Sequence, residues 1–393
     1  MKYRLEELVD LKIGRTPPRK EQQWFNQGSD DWKWVSIKDM GVSGRYISET
    51  SETISKEAQT KFNIPIVRKG TVILSFKLTV GRVAIVDEDM LTNEAIAQLP
   101  INDTNIVRPL YLYYLLKNYK FDQLGSTSSI ATAVNSSYLK KMEIEIPDIH
   151  EQDRVISILQ SLDNELELNR EINDNLLQQA QAIYDEICKD CEPIKLESLI
   201  SVIETGSRPK GGAESEGIPS IGAEKIERFG TYDFSGEKYI SEEFFSKLKR
   251  GIVLSGDVLL YKDGAYTGKS SMALDGFPHE KCAVNEHVFI LRTRDNFAQY
   301  FLYFTLSSPS IREKIYTLAC GKAAQPGLNQ QELFSVEAPI PTDDVLQDFD
   351  KQVDPLMHAI ALNALENLKL SNLRDSLLPK LMSGEIDVNS VDL

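Results

Sequence analysis

The sequence is short of the residues that sustain several large classes of protein. It has four cysteines and four histidines in 393 residues, too few cysteines for a disulfide framework in a chain this long. No apolar run reaches the 18 residues of a membrane-span candidate. The opening MKYRLEELVDLKIG lacks the apolar core of a secretion signal, so the expected location is the cytoplasm, with no membrane partner. Catalytic signatures are equally scarce. There is no Gly-x-Ser-x-Gly elbow, and His150, His279, His287 and His358 stand in unrelated contexts. The Asn-Pro-Pro-aromatic motif of a DNA amino-methyltransferase is missing, and the lone Asp31-Trp32-Lys33 has no counterpart of nuclease type. Cys188-Lys189-Asp190-Cys191 is a CxxC, but zinc needs three or four protein ligands, and His279 and Cys282 lie some 90 residues away. Gly264-Ala265-Tyr266-Thr267-Gly268-Lys269-Ser270 is one residue short of a phosphate loop. We therefore expect no metal, no cofactor and no catalytic residue in this chain.

Positive charge is also in deficit. The net charge of -15 argues at first against a nucleic-acid partner, because such binding draws on Lys and Arg. Its distribution changes that reading. Residues 1–150 hold 20 basic and 19 acidic residues and 197–341 hold 16 and 19, whereas 151–196 hold 4 and 11 and 342–393 hold 4 and 10. Two short acidic segments carry most of the charge and leave two nearly neutral blocks.

Those blocks repeat, at a shift of 186 to 194 residues. Gly14 and Pro17 recur as Gly206 and Pro209, Val72-Ile73-Leu74 as Val258-Leu259-Leu260, and Gly81-Arg82 as Gly268-Lys269. Asn93-Glu94 recurs as Asn285-Glu286, Leu112-Tyr113 with Leu116 as Leu302-Tyr303 with Leu306, Asn135 as Asn329 and Pro147 as Pro341. A period this long means a duplicated domain rather than a solenoid. Short β-branched runs such as Thr71–Phe76, Arg82–Val86 and Glu143–Ile146, with one apolar helix near 110–118, predict an α+β block with a small irregular sheet.

Each block ends in a Pro followed by a long polar helix. Asp148 and Glu151 have the spacing of a helix-opening capping box. Apolar spacings of four and three then run through Val155, Leu159, Leu162, Leu166, Asn169, Asn173, Leu176, Ala180, Ile183 and Ile187, the pattern of a helix-pairing seam. A shift of 194 gives Phe349, Val353, Leu356, Ile360, Asn363, Asn367, Leu370, Arg374, Leu377 and Leu381, apolar apart from the two repeated asparagines and Arg374. A polar residue in a seam fixes register and partner, so mutual pairing of the two helices is expected. In the second helix Asp354-Pro355 is expected to restart the helix and Pro379 to end it, leaving a shorter useful length.

The loops of both blocks place basic and polar residues at matching points. We take Arg15, Arg19, Lys20, Lys38, Lys77, Arg82, Ser126 and Ser128 in the first block as candidate DNA contacts, and Arg208, Lys210, Lys225, Lys262, Tyr266, Lys269, Lys322 and Gln325 in the second. Such side chains can hold phosphates or reach base edges.

The ordered set of parts resembles the specificity subunit of type I restriction-modification systems across nearly the whole chain. The residues that carry this are the Gly-x-Thr-Pro-like openings at Gly14 to Pro17 and Gly206 to Pro209, and the run Gly256-Asp257-Val258-Leu259-Leu260. To these are added the Pro-x-x-x-Glu-Gln at Pro147 to Gln152 and the terminal stretch Leu373 to Ile386. Two departures stand out: Ser207-Arg208 replaces the Thr, and Val345-Leu346-Gln347 lies opposite Glu151-Gln152. The resemblance implies target-recognition domains at 1–147 and 193–341, separated by helical regions at 148–192 and 342–393 packed as a coiled coil. It implies that each domain reads half of a bipartite site on double-stranded DNA, with the first helix, about 50 Å long at 1.5 Å per residue, as a ruler. It further implies docking of two methylation subunits, which bring S-adenosylmethionine, and association with two restriction subunits, which use ATP and Mg. The alternative is a non-catalytic coiled-coil scaffold with two protein-binding domains. Substitution of Lys322 and Gln325 separates the two, because only a DNA reader would change its methylation pattern. A nucleotide-dependent enzyme would instead need the Gly264–Ser270 loop, and Lys269→Ala would test it.

Overall fold

The computed structural model describes residues 1–26, 28–42, 44–121, 136–294, 297–321 and 327–388. Ser126, Ser128, Lys322, Gln325 and the repeat residue Asn135 lie outside them. The chain divides into two compact units, Met1–Glu167 with Leu370–Leu393, and Leu168–Lys369. Each unit holds one block and part of both long helices.

The first block opens with strand Lys2–Arg4, which pairs antiparallel with Glu143–Glu145, the last strand before the helix. The N-terminal ammonium donates to Ile146 O at 2.6 Å. In the second block, Pro193–Lys195 pairs in the same sense with Glu337–Pro339. Between these closing strands the topology repeats. The main sheet of block one runs Lys12–Ile13, Ile96–Leu99, Val72–Ser75, Val83–Val86, with Tyr46–Ile47 added parallel at the edge. That of block two runs Ile200–Thr205, Val288–Thr293, Val258–Tyr261, Ser270–Met272. Each block has a second sheet with one parallel pair, Trp32–Val35 with Met90–Thr92 at the centre of four strands and Ile218–Ile221 with Ala283–Val284 at one side of three.

The unbroken apolar runs that mark the repeat are explained by burial on both faces of the strand. Val72 and Leu74 face one cluster with the helix Pro109–Asn118, while Ile73 faces another with Val35, Met40 and Met90. Val258 and Leu260 likewise share a cluster with the helix Gln299–Ser307, and Leu259 faces Ile221 and Val284. Each block is therefore a helix layer, a sheet and a second sheet.

The two long helices span Ile149–Cys188 and Asp343–Met382, 40 residues each. Asp148 Oδ1 accepts from the backbone of His150 and Glu151 at 2.9 and 3.1 Å, opening the first as its spacing predicts. The second corrects the sequence reading, because neither proline breaks it. Pro355 forgoes a single backbone bond inside the helix, and Pro379 sits in the last turn. The stop is Gly384, whose φ of 72° lies in the left-handed region that favours glycine, and the helix is as long as its partner.

Within the second unit, Asn169 Nδ2 donates to Asn367 Oδ1 at 3.2 Å and to Glu366 Oε2 at 3.1 Å. Asn363 Nδ2 donates to Asn173 Oδ1 at 2.9 Å, and Asn173 Nδ2 to Ile360 O at 3.3 Å. The helices thus run antiparallel there, with the seam asparagines satisfying one another. Leu159, Leu166, Asn169, Asn173 and Ile360 are buried as expected, but Leu162, Leu176, Leu356 and Leu370 are only half-buried, as are Asn363 and Asn367. Their neighbours Asp163, Leu177 and Met357 hold the buried positions instead, because each helix packs against its block as well as its partner. Arg374, the expected exception, is answered in the first unit: its Nη1 donates to Asp163 Oδ1 at 3.0 Å, and Tyr114 Oη donates to Asp163 Oδ2 at 2.7 Å.

The departure at Glu151-Gln152 also has a structural account. Gln152, fully buried, accepts from Arg108 N at 2.9 Å and donates to Ile106 O and Pro147 O at 2.8 and 3.0 Å, anchoring the start of the apolar helix. Its counterpart Leu346 is buried and apolar, and Asp350, one turn on, accepts from Tyr300 N and Phe301 N at 3.4 and 3.2 Å. Burial pushes the Asp350 carboxyl up to about 7 against those backbone donors. The folded state therefore holds this proton more tightly than the unfolded chain. That stabilisation is complete below pH 4 and is lost as pH rises through 7. Unfolding titrations should find the protein about 1 kcal/mol more stable at pH 6 than at pH 8 from this group, and Asp350→Asn should remove that slope.

Candidate nucleic-acid interface

The repeated Gly-Pro and Asn-Glu motifs meet in space. An added Cβ on Gly14 would stand 2.1 Å from Thr92 O, and one on Gly206 would stand 1.5 Å from Val284 O. Neither position has room for a side chain. The following asparagines make the same turn, Asn93 Oδ1 accepting from Ala95 N at 3.0 Å and Asn285 Oδ1 from His287 N at 2.9 Å. The glutamates then hold the opening loops: Thr16 Oγ1 donates to Glu94 in block one, and Arg208 Nε pairs with Glu286 at 3.0 Å in block two. Arg208 thus performs the task of the missing threonine. This node is architecture, and Arg208 is partly engaged by it.

The other candidates fall into three groups. Lys20, Lys38 and Lys210 are exposed and have no ion pair among the described residues. Arg15, Arg19, Lys77 and Arg82 lean on the first block. Arg15 reaches Phe62 O at 3.0 Å, and Arg19 pairs with Glu52 at 2.7 Å while lying 4.7 Å over Trp34. Lys77 covers Phe76, and Arg82 donates to Ile37 O at 2.6 Å. In block two, Lys262 pairs with Asp263 at 2.5 Å and Lys269 with Glu227 at 2.6 Å. An exposed pair such as Arg19–Glu52 contributes about 0–1 kcal/mol, so a phosphate can compete for that cation, whereas Lys262 and Lys269 are half-buried in their pairs. Lys225 is a correction. It is 9% exposed and its ammonium binds Asp233 at 3.0 Å and Ser235 O, because burial demands a full set of partners; it braces its loop.

The Gly264–Ser270 segment is the turn between two antiparallel strands, with Gly268 N bonded to Tyr261 O at 2.9 Å, and no helix follows it. It has no phosphate-loop geometry. At its tip Tyr266 is 60% exposed, with Lys269 4.7 Å over its ring. The same hairpin of block one presents Leu78, 83% exposed at a φ of 65°. Sequence reasoning missed Leu78; the only signal was an apolar residue between Lys77 and Thr79 in a turn. Lys269 also lines, with Arg228 and Arg312, a cavity of about 300 Å³ against the long helix, but Glu227 and Asp174 engage the first two of these cations. Burial pushes the Cys188 thiol up to about 11 and Cys282 to about 12, which keeps both protonated. Among the described residues no group of three metal-ligating side chains occurs, and no helix is long and apolar enough to cross a membrane.

Residues 1–178 match the family model described as the type I restriction modification DNA specificity domain. The type I restriction enzyme MjaIX specificity subunit of Methanocaldococcus jannaschii is 24% identical, over 99% of this chain and 94% of that protein. The HindI specificity subunit of Haemophilus influenzae is 22% identical, over 81% of this chain and 87% of its own length. Among solved structures, the type I restriction-modification S subunit from M. genitalium shares the fold, with a TM-score of 0.57 at 16% identity over 97% of this chain and 95% of that one. With its duplicated block and its two long helices, the chain is similar along nearly its whole length to type I restriction-modification specificity subunits, and its first 178 residues match their DNA specificity domain.

Proposed function

We propose that this chain reads DNA for a type I restriction-modification complex, each block recognising one half of a split site. The observation that carries the reading is the pair of hairpins at equivalent places in the two blocks, each with an exposed apolar or aromatic tip, Leu78 and Tyr266, beside a lysine, Lys77 over Phe76 in one and Lys269 over Tyr266 in the other. Apolar tips of this kind enter grooves or stack on bases, and the cations position the backbone.

The helices carry the second part of the proposal, the docking of two methylation subunits. Leu168 and Leu362 are counterparts at a shift of 194 and are 49% and 60% exposed on the two long helices, whose segments 151–196 and 342–393 are acidic in net charge. Matched apolar residues at equivalent places on two helices fit two copies of one partner. In this reading S-adenosylmethionine belongs to those subunits, and ATP with Mg to restriction subunits that join them. Phosphate neutralisation then falls largely to the partners, which accounts for a reader with a net charge of -15.

The test is co-expression with the methylation subunit followed by mapping of methylated bases across a genome. A split motif around an unread gap supports the reading. A stable complex that leaves DNA unmethylated moves the weight to a protein-binding scaffold. Leu168→Glu with Leu362→Glu should give a folded chain that no longer retains the methylation subunit.

A further inference from the structure

We infer that the Asp163–Arg374 pair is a partner code, which makes the first half of the chain (N, residues 1–192) pair with the second (C, residues 193–393) and keeps each half from pairing with a second copy of itself. The inference rests on the helix seam alone and is independent of the DNA reading.

A duplicated helix that pairs antiparallel with its own duplicate has a built-in ambiguity. Asn169 faces Asn367, which is the counterpart of Asn173, and Asn173 faces Asn363, the counterpart of Asn169. The facing is reciprocal. Two N halves from different molecules would therefore set Asn169 against Asn173, and two C halves Asn363 against Asn367, each asparagine still facing another, with Ile172 standing in the N·N pair where Asn169 now meets Glu366. The asparagines fix register but cannot tell self from partner.

One position does. Asp163 faces Arg374, which is the counterpart of Ala180. Reciprocity sets Met357, the counterpart of Asp163, with Ala180, and both are fully buried in one apolar cluster of the second unit. The surroundings have changed in step. Tyr114, whose hydroxyl donates to Asp163, has Phe304 as its counterpart, which has no hydroxyl and belongs to the apolar cluster. One junction is thus polar throughout and the other apolar throughout.

Self-pairing breaks both sets. In an N·N pair the carboxylate of Asp163, only 4% exposed here, would face Ala180 twice. In a C·C pair Arg374 would face Met357 twice. A buried charge stripped of its partner is costly, whereas the matched pair need not stabilise at all. The pair acts through the alternatives it excludes.

The experiment starts from the folded full-length protein with a protease site inserted between the exposed Asp190 and Glu192, in the link after the first long helix. After cleavage, isotope-labelled and unlabelled samples are mixed, urea is raised until labelled and unlabelled halves exchange, and native mass spectrometry weighs the N·C, N·N and C·C pairs. Wild type should return N·C in at least about tenfold excess, equivalent to 1.4 kcal/mol. Asp163→Met recreates the native Met–Ala contact in N·N, so N·N should appear; Arg374→Ala does the same for C·C. The two together should give a near-statistical mixture. The exchanged pair Asp163→Arg with Arg374→Asp should restore N·C, and it keeps the test open if Asp163→Met fails to fold. Statistical re-sorting of the wild type, or an unchanged N·C excess in both single variants once label has exchanged, overturns the inference.

Discussion

Gly206→Ala should unfold the second block and spare the first. The added methyl would stand 1.5 Å from Val284 O, and Gly251 closes the opposite side, its own Cβ position lying 2.5 Å from the Gly206 Cα. Relief requires moving Ala283–Val284, which pairs with Ile218–Ile221 in the second sheet. No flexible side chain is available to give way. The cost should exceed about 4 kcal/mol, a size reached only when a substitution strikes backbone or core directly. Limited proteolysis should then cut within residues 197–341 while 1–147 persists, and Gly14→Ala should reverse the pattern through its 2.1 Å approach to Thr92 O. An unchanged melting temperature in both variants would remove the glycine node from this account of the fold.

Tyr266→Ala should leave the fold intact and blunt the reading of one half-site. The side chain is 60% exposed, and exposed substitutions stay within about 0.5 kcal/mol in stability. A base-stacking or groove-filling contact is worth about 1–3 kcal/mol, so the assembled complex should lose roughly ten- to a hundredfold in affinity. The loss should fall on duplexes according to one half of the split motif: once Tyr266 is gone, base changes in that half should matter less, and changes in the other half should matter as before. Leu78→Ala should give the mirror result. Binding titrations with duplexes altered in one half at a time read both, and equal weakening on every duplex would reduce the hairpin tips to phosphate-proximal bystanders.

The sequence disclosed what local rules and the repeat enforce. Gly14 and Gly206 were visible because close backbone approach admits one residue type, and Asp148 because a helix start leaves donors that a short acid satisfies. The runs at 72–74 and 258–260 were visible because a strand covered on both faces must be apolar throughout. Tertiary partners stayed hidden. Arg374 looked like a flaw in a seam until Asp163 was found facing it, and no periodicity distinguishes Leu162 from Asp163 once a helix must satisfy a block and a partner together. Lys225 read as a loop cation because the carboxylate of Asp233 beside it is supplied by folding. Pro355 looked like a break because the helix rule weighs one lost hydrogen bond, while packing along 40 residues outweighs it. Leu78 went unnoticed because an exposed leucine means nothing in a sequence until its hairpin and its counterpart are known.

The closing strands have an evolutionary consequence. Lys2–Arg4 lies against Glu143–Glu145 and Pro193–Lys195 against Glu337–Pro339, so each block begins and ends at a single point. Everything between those strands is a closed excursion whose length and content leave the geometry of its two attachment points unchanged. Loop-closure entropy grows only as the logarithm of length, and in each block it is met by a ladder that does not depend on what the excursion encodes. Recombination between genes at the edges of these ladders would therefore exchange one whole excursion for another as a cassette. It would deliver a new specificity on an old chassis in a single event, where point mutation would have to rebuild a recognition surface residue by residue.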